Sequence, residues 1–511
     1  MGSSDADKWQ EAMCTEILAI LGNETYEIVD LPAGAKAIGS GWVFKVKRKA
    51  DCTVERYKAR LVAKGYSQRP GIDYSEIFAP TFRPAALRLI IALAGIEGME
   101  LRSVDISSAF TNGDLEEEIY MMQPEGFHQG GPNKVCKLKK SLYGLKQSAR
   151  QWNKKLHSEL ANLGFTRLQS DRSIYLYARG ELKIILPVYI DDLTFASKDT
   201  ALIDKAVEDL SKVFKLRDLG ETRFLLGIEI TRDRKKRTIS LSQHQYVVDL
   251  LERYGMQDCN PVGTPLPPGI KLSKKMAPQN AEEIAFMREV PYLSAIGSLQ
   301  YLATMTRPDI QYAVSYLARF NHNPGPQHWA ALKHLLRYLQ GSKDFKLVYT
   351  GSDSALPFST FSDASHGDCV DSGRSTGAYL AMIGGGAVGW SSKLQTVVAL
   401  SSTEAEYMAA VEAGKEIMWM RNILGEFGYA VSGPSSLGID NLSAISVSKN
   451  PEHFGRMKHL DLRFFWLRDA VDSGVVAPFH VPGTEQPADA LTKPLPLPAV
   501  KSTREAMGLQ L

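Results

Sequence analysis

Two adjacent aspartates, Asp191 and Asp192, stand between the apolar runs 182–190 and 193–196. Carboxylates are seldom buried unpaired, because losing hydration is costly unless a cation or donor answers the charge. Two side by side add mutual repulsion. A hairpin whose tip carries Tyr189-Ile190-Asp191-Asp192 projects both acids at one spot, a natural seat for an oxygen-loving divalent cation. Asp is also a common turn residue, so on this tetrapeptide alone a plain Asp-Asp turn is the simpler reading. A third acid, Asp105, closes a candidate strand in which Ser103 and Asp105 alternate with Val104 and Ile106, which puts it on the face opposite its apolar neighbours. Three acids from two strands suit a pair of Mg²⁺ ions about 4 Å apart, an arrangement that activates an attacking oxygen and stabilises a leaving one in phosphoryl transfer.

The second half of the chain carries its own acids. Asp363 follows the strand candidate 358–362, Glu404 follows Ser401-Ser402-Thr403, Asp440 follows Leu437-Gly438-Ile439, and Asp489 heads Ala490-Leu491-Thr492-Lys493. Singly, Asp440 reads as a helix N-cap and Glu404 as a solvated first-turn acid favoured by the helix dipole. Glu406, two residues beyond Glu404, falls on a different helix face.

The elements that must position these acids follow from periodicity. Residues 9–21 have helical spacing, 42–47 alternate like a strand, and 61–63 suit a short strand. Residues 85–96 read as an apolar helix after Pro84, ended by Gly98. Strand 99–106, helix 152–163, strand 174–177 and strand 184–190 follow, an order that suits an α+β sheet with helices on one face. The Pro/Gly-rich stretch 260–269 and the polar stretch 271–283 read as a linker. Helical patterns at 292–320 and 329–339, separated by Asn321-His322-Asn323-Pro324-Gly325-Pro326, predict a small helical domain, and strand texture returns after Gly351.

A chain of 511 residues exceeds one ordinary core and predicts two to four domains. Its 44% hydrophobic and 23% charged content is that of a globular protein. No apolar run approaches bilayer-spanning length. The five cysteines, Cys14, Cys52, Cys136, Cys259 and Cys369, form no CxxC pair, which argues against a zinc site and fits a reducing compartment. The net charge of +3 hides segregation: Lys137, Lys139, Lys140, Lys146, Arg150 and Lys154 share a stretch with Tyr143 and Trp152 that holds no acid. A second basic zone spans 45–64 and a third 232–237. Charge runs are usually solvated faces, but basic residues interleaved with aromatics favour a nucleic-acid backbone.

Longer motifs go further. Val104-Asp105 through Phe110, Asn112-Gly113-Asp114-Leu115-Glu116-Glu117-Glu118-Ile119-Tyr120-Met121, Gln123-Pro124-Glu125-Gly126-Phe127, Tyr57-Lys58-Ala59-Arg60-Leu61-Val62-Ala63-Lys64-Gly65 and Ser141-Leu142-Tyr143-Gly144-Leu145-Lys146-Gln147 together resemble the reverse transcriptase of copia-type LTR retrotransposons. Ser402-Thr403-Glu404-Ala405-Glu406-Tyr407 and Ala488-Asp489-Ala490-Leu491-Thr492-Lys493 resemble the ribonuclease H of the same polyproteins. The resemblance implies that Asp105 and Asp191 are the main metal ligands of a polymerase palm, with Asp192 in support. Phe110 resembles the steric gate against a ribose 2′-OH, and Gln147 the glutamine that positions template and nucleotide. Lys58 and Arg60 would bind the triphosphate, Tyr189 would contact nucleotide or template, and 224–228 resembles a primer grip. Asp363, Glu404, Asp440 and Asp489 would be the ribonuclease H acids, with Glu406 set aside. His453 and His459 stand near that set, and Phe465 stands where the family often has histidine.

The implied fold class is α+β and α/β multidomain: a right-hand polymerase with fingers, palm and helical thumb, then a ribonuclease H-like domain. The expected divisions are fingers and palm at 1–259, a linker at 260–284, a thumb or connection at 285–350, the nuclease at 351–495 and a tail at 496–511. The implied function is RNA-directed DNA synthesis with cleavage of the RNA strand of RNA–DNA hybrids, using two Mg²⁺ per site, or Mn²⁺. Partners would be an RNA template, a DNA primer and product, RNA–DNA hybrid and dNTPs, with the element's integrase and capsid and no membrane. Protease and integrase would lie upstream in a polyprotein. The location would be cytoplasmic, in a virus-like particle, or nuclear, without secretion. The alternative is a catalytically inactive, domesticated nucleic-acid-binding remnant, which a loss of metal acids would favour; all seven stand.

Overall fold

The computed structural model describes residues 5–48, 53–351, 358–429, 431–449 and 462–511. The chain forms two compact units, Met1–Phe82 with Leu101–Glu221 and Arg83–Glu100 with Thr222–Leu511.

In the first unit, strands Leu216–Glu221, Glu100–Ile106, Asp192–Ser197, Leu182–Tyr189, Ile174–Arg179 and Thr166–Arg167 lie side by side in that order. Ile184 to Val188 are buried consecutively, as a central strand covered on both faces requires. Helices Ser148–Asn162 and Thr200–Ser211 bring Trp152, Leu156, Leu160, Ile203 and Leu210 onto Val104, Leu186 and Phe195. A smaller sheet of Tyr26–Asp30, Lys134–Lys140 and Asp114–Met121 and the hairpin Ser40–Arg48 with Val54–Ala63 complete the unit. Ile17 and Ile20 of helix Ala6–Gly22 join Leu61 and Ala63 in the core beneath them.

The second unit contains a sheet of Phe224–Leu225, Ile228–Asp233, Thr238–Ser242, Lys346–Thr350 and Leu509–Gln510. Helices His244–Arg253, Tyr292–Met305, Gln311–Ala318 and Pro326–Gln340 share one apolar core through Leu250, Leu299, Leu317 and Leu336. A further sheet runs Gly386–Leu394, Thr376–Ile383, Phe358–Ser365, Ser435–Ile439, Val476–His480. Its first three strands are antiparallel and its last two join in parallel, with helix Ser402–Glu426 packed across it. The architecture is thus mixed α+β and α/β.

Three expected divisions differ from the structure. Stretch 260–284 is packed rather than a free linker: Leu266 and Leu272 enter the helical core, and Ser273 Oγ donates to Asp371 at 2.6 Å. Residues 496–511 are no tail, since Leu497–Ala506 is helical and Leu509–Gln510 pairs with Lys346–Thr350. Helix Pro84–Glu97 belongs to the second unit, not with its sequence neighbours in the first. The helical pattern at 292–320 is also interrupted. Pro308 offers no N–H and disfavours a helical Arg307, and buried Arg307 turns to pair with Asp309 at 2.7 Å.

The strand Val54–Ala63 is held by a backbone contact that no side chain fits. Ala63 N donates to Tyr143 O at 2.8 Å. A Cβ on Gly144, whose φ is +93°, would stand 2.1 Å from Ala63 O, and one on Gly65 would stand 2.0 Å from Gly144 O. Gly144→Ala is therefore expected to cost about 1–3 kcal/mol of stability in urea denaturation. Gly131→Ala, with nothing within 4 Å, serves as the tolerated comparison. Equal midpoints for the two variants would contradict this packing account.

Candidate active sites

The first acid set depends on a strained hairpin tip. Tyr189 pairs with Asp192, leaving Ile190 and Asp191 as a two-residue loop. Ile190 has φ +59°, a conformation that β-branched residues avoid. Two bonds hold it there: Trp152 Nε1 donates to Ile190 O at 2.7 Å, and Ile106 N donates to Asp191 O at 3.0 Å. The second of these ties the tip to the strand that carries Asp105.

Asp105 and Asp191 line a cavity of about 580 Å³ together with Arg56, Lys58, Arg60, Lys215 and Arg217. Burial raises the Asp191 pKa, the charge of Asp105 adds to the rise, and Arg60 and Lys58 oppose it. Asp192, the first residue of the strand after the tip, does not line this cavity. Its carboxyl is pushed up to about 6, first by burial and then by Asp191 and Asp105. Burial also pulls the Lys58 ammonium down, and Arg60, Arg56 and Lys47 add to the effect while Glu16 opposes it. An anion entering the cavity would relieve that repulsion.

The other expected contacts divide. Lys58 and Arg60 both face the cavity. The Arg60 guanidinium sits 4.2 Å from the centre of the Tyr143 ring, and Phe110 packs edge-on to the same ring at 4.8 Å. Tyr143 and Glu16, both in the cavity wall, were not among the expected site residues; the basic and aromatic stretch around Tyr143 was the available signal. Tyr189 lies outside the cavity lining and packs on Phe82 at 5.5 Å. Gln147 is a correction. It is fully buried, accepts from Gln68 Nε2 at 3.0 Å, and donates to Asp73 O at 2.9 Å and Glu117 Oε2 at 3.1 Å. With both amide N–H groups taken up by the protein, it braces the segment 68–73 away from the cavity lining. The 224–228 segment is a tight hairpin in the second unit, with Leu226 and Gly227 both at positive φ.

The second acid set converges, with one exchange. Asp363, Glu406 and Asp440 bring carboxylate oxygens within 4.8 Å of one another. Glu404 is not among them. Its N–H bonds to Ser401 Oγ at 3.2 Å, and its carboxylate accepts from Leu400 N at 2.8 Å. Glu404 thus closes the start of its own helix in the manner of a capping box, while Glu406 faces the sheet. The Ser-x-x-Glu spacing of Ser401 and Glu404 was the signal that could have separated them. Ala364 N donates to Glu406 Oε1 at 3.1 Å, and the buried Oε2 has no partner among the described residues. Burial drives the Glu406 pKa well up, and Asp363 and Asp440 drive it further. Asp489 is also raised, by burial and then by Asp363, and its Oδ1 meets Lys493 at 2.9 Å. Thr492 Oγ1 donates to Asp363. Three carboxylates with an orphaned buried oxygen fit a divalent cation. His453 and His459 lie outside the described residues, and Phe465 is exposed under the Arg468 guanidinium.

The chain matches the family described as reverse transcriptase (RNA-dependent DNA polymerase) over residues 23–268. It is 43% identical to the retrovirus-related Pol polyprotein from transposon TNT 1-94 of Nicotiana tabacum, over 99% of this chain and 38% of that one. Identity to the corresponding polyprotein from transposon RE1 of Arabidopsis thaliana is 37%, over 98% of this chain and 34% of that one. A putative transposon Ty5-1 protein of Saccharomyces cerevisiae is 34% identical along its whole length, which covers 61% of this chain. The chain spans little more than a third of the length of the two plant polyproteins.

The carboxyl shifts give a pH test. The Asp192 pKa in the fold, about 6, lies above its ordinary value of 3.8. The metal-free fold is therefore penalised above pH 6 and relieved as pH falls through that value. Asp192→Asn is expected to raise the melting temperature of metal-free protein at pH 8, with the gain shrinking at pH 5. A variant less stable than wild type at both values would contradict the burial assignment.

Proposed function

Since the chain belongs to the reverse transcriptase family of retrotransposon Pol polyproteins, we propose that it is an RNA-directed DNA polymerase joined to a ribonuclease H. The observation that carries the polymerase reading is the cavity in which Asp105 and Asp191 face Lys58 and Arg60. The buried trio Asp363, Glu406 and Asp440 supports the nuclease.

In the polymerase site, Asp105 and Asp191 would hold Mg²⁺, with Asp192 tuning the local charge, while Lys58 and Arg60 receive the triphosphate of a dNTP. Their fixed charges answer phosphate oxygens in a partly water-excluded site, where each contact counts for more than in water. Phe110, braced by Tyr143, would crowd the 2′ position of the incoming sugar. In the nuclease site, Asp363, Glu406 and Asp440 would hold the metal, with Asp489 and Lys493 at its side. When bound, the divalent ions supply the Lewis-acid charge that activates the attacking oxygen and stabilises the leaving one. The helices of 292–340 would act as a thumb on the primer–template duplex. RNA template, DNA primer and hybrid would be held through backbone and shape, within a cytoplasmic particle alongside the element's integrase and capsid.

Primer extension on poly(rA)/oligo(dT) and cleavage of a labelled RNA–DNA hybrid, both with Mg²⁺, test this reading. Asp191→Asn is expected to abolish extension and spare cleavage, and Glu406→Gln the reverse. Glu404→Gln is expected to keep both activities with a small loss of stability, about 1 kcal/mol or less, the scale of a helix cap. Cleavage lost in Glu404→Gln and kept in Glu406→Gln would overturn the nuclease assignment. No incorporation by wild type at any enzyme concentration would favour the inactive binding remnant.

A further inference from the structure

A groove of about 380 Å³ in the second unit is lined by Arg83, Arg88 and Lys393 and, among the described residues, by no carboxylate. Gln300, Gln311 and Ser392 add amides and a hydroxyl to its wall. Arg88 is the unusual member, being only 4% exposed. Its guanidinium donates to the main-chain carbonyls of Val388 at 2.8 Å, Thr304 at 2.6 Å and Met305 at 3.0 Å, and stacks on Trp390 at 3.7 Å. These contacts take up its Nε–H and both Nη1–H groups, and among the described residues its charge has no ion pair, a costly state for a buried cation. Glu416 acts on it only from a distance and is engaged by Arg83 at 2.8 Å and by Tyr379 Oη at 3.2 Å. Lys393 is exposed at the rim and makes no ion pair among the described residues. Ser392 is 3% exposed, and its Oγ has no partner among the described residues. A neighbouring cavity of about 430 Å³ shares Arg83 and Lys393 but adds Glu412 and Glu416, so an anion is favoured in the groove of Arg88.

We propose that this groove is a phosphate site, separate from both acid clusters, that takes one phosphate of bound nucleic acid. The proposal rests on the polymerase and nuclease reading for the source of that phosphate. Several acceptor oxygens on one tetrahedral centre match the mixture of ammonium, amide and hydroxyl donors on the wall, and the contact fixes register without reading sequence.

The test uses the full chain and a fluorescein-labelled RNA–DNA hybrid titrated across a KCl series, with inorganic pyrophosphate titrated calorimetrically in parallel. Lys393→Glu is the variant, and Lys501→Glu, an exposed lysine outside the groove, is the comparison. Lys393→Glu is expected to weaken hybrid binding about tenfold near 0.1 M KCl and to reduce the slope of log K against log[KCl] by about one, with Lys501→Glu within about twofold of wild type. Pyrophosphate bound by wild type and lost in Lys393→Glu, with hybrid binding unchanged, would support the phosphate site and assign its source to free phosphate. Lys393→Glu binding both probes as wild type does, or Lys501→Glu losing as much as Lys393→Glu, would overturn the site. Wild type that binds no hybrid would overturn the polymerase and nuclease reading itself, a result distinct from a wild type and variant that bind equally.

Discussion

Carboxylates that share a buried site repel one another and forfeit hydration, so they stay together only where the backbone leaves them no alternative. Both acid sets are built on that constraint. In the first unit the bond from Ile106 N to Asp191 O and the bond from Trp152 Nε1 to Ile190 O hold a left-handed isoleucine at a hairpin tip. In the second, parallel pairing of Phe358–Ser365 with Ser435–Ile439 brings Asp363 and Asp440 to neighbouring strand ends, and helix Ser402–Glu426 delivers Glu406 between them. The fold stores repulsion in both places, and a divalent cation is the partner that releases it.

Cations answer the same constraint from the other side. Lys58 and Arg60 crowd one another near the first acids, and burial makes the charge of Lys58 harder to keep. Their strand is held by backbone contacts at Gly65 and Gly144 that exclude any side chain. Opposite charges thus line one cavity, and among the described residues Asp105 and Asp191 make no ion pair with Lys58 or Arg60, as suits a site that takes both metal and phosphate. Arg88 repeats the theme in the second unit, where three main-chain carbonyls hold a guanidinium without cancelling its charge.

Much of this was legible in the residues, and the exceptions have physical reasons. The Asp105 strand, the Asp191 hairpin and the long helices announce themselves through local periodicity, which depends only on near neighbours. Gln147 does not, because its amide is consumed by Gln68, Asp73 and Glu117, which stand 79, 74 and 30 residues away. Glu404 and Glu406 differ by half a turn, and deciding which faces the sheet needed the capping role of Ser401 to be weighed. The stretch 260–284 reads as a linker because it is Pro/Gly-rich and then polar; two buried leucines suffice to anchor it to the helical core. The break at Pro308 is written in the proline itself, while the apolar pattern runs on through it. The split that sends helix Pro84–Glu97 into the second unit leaves no local trace.

The central claim is that two separate carboxylate sets are cation sites and that Glu406, not Glu404, completes the second. Anomalous scattering from Mn²⁺ in crystals of the full chain bound to an RNA–DNA hybrid tests it most directly. The account predicts peaks beside Asp105 and Asp191 and among Asp363, Glu406 and Asp440. Mn²⁺ on Glu404, or peaks at neither set with hybrid in place, would contradict it.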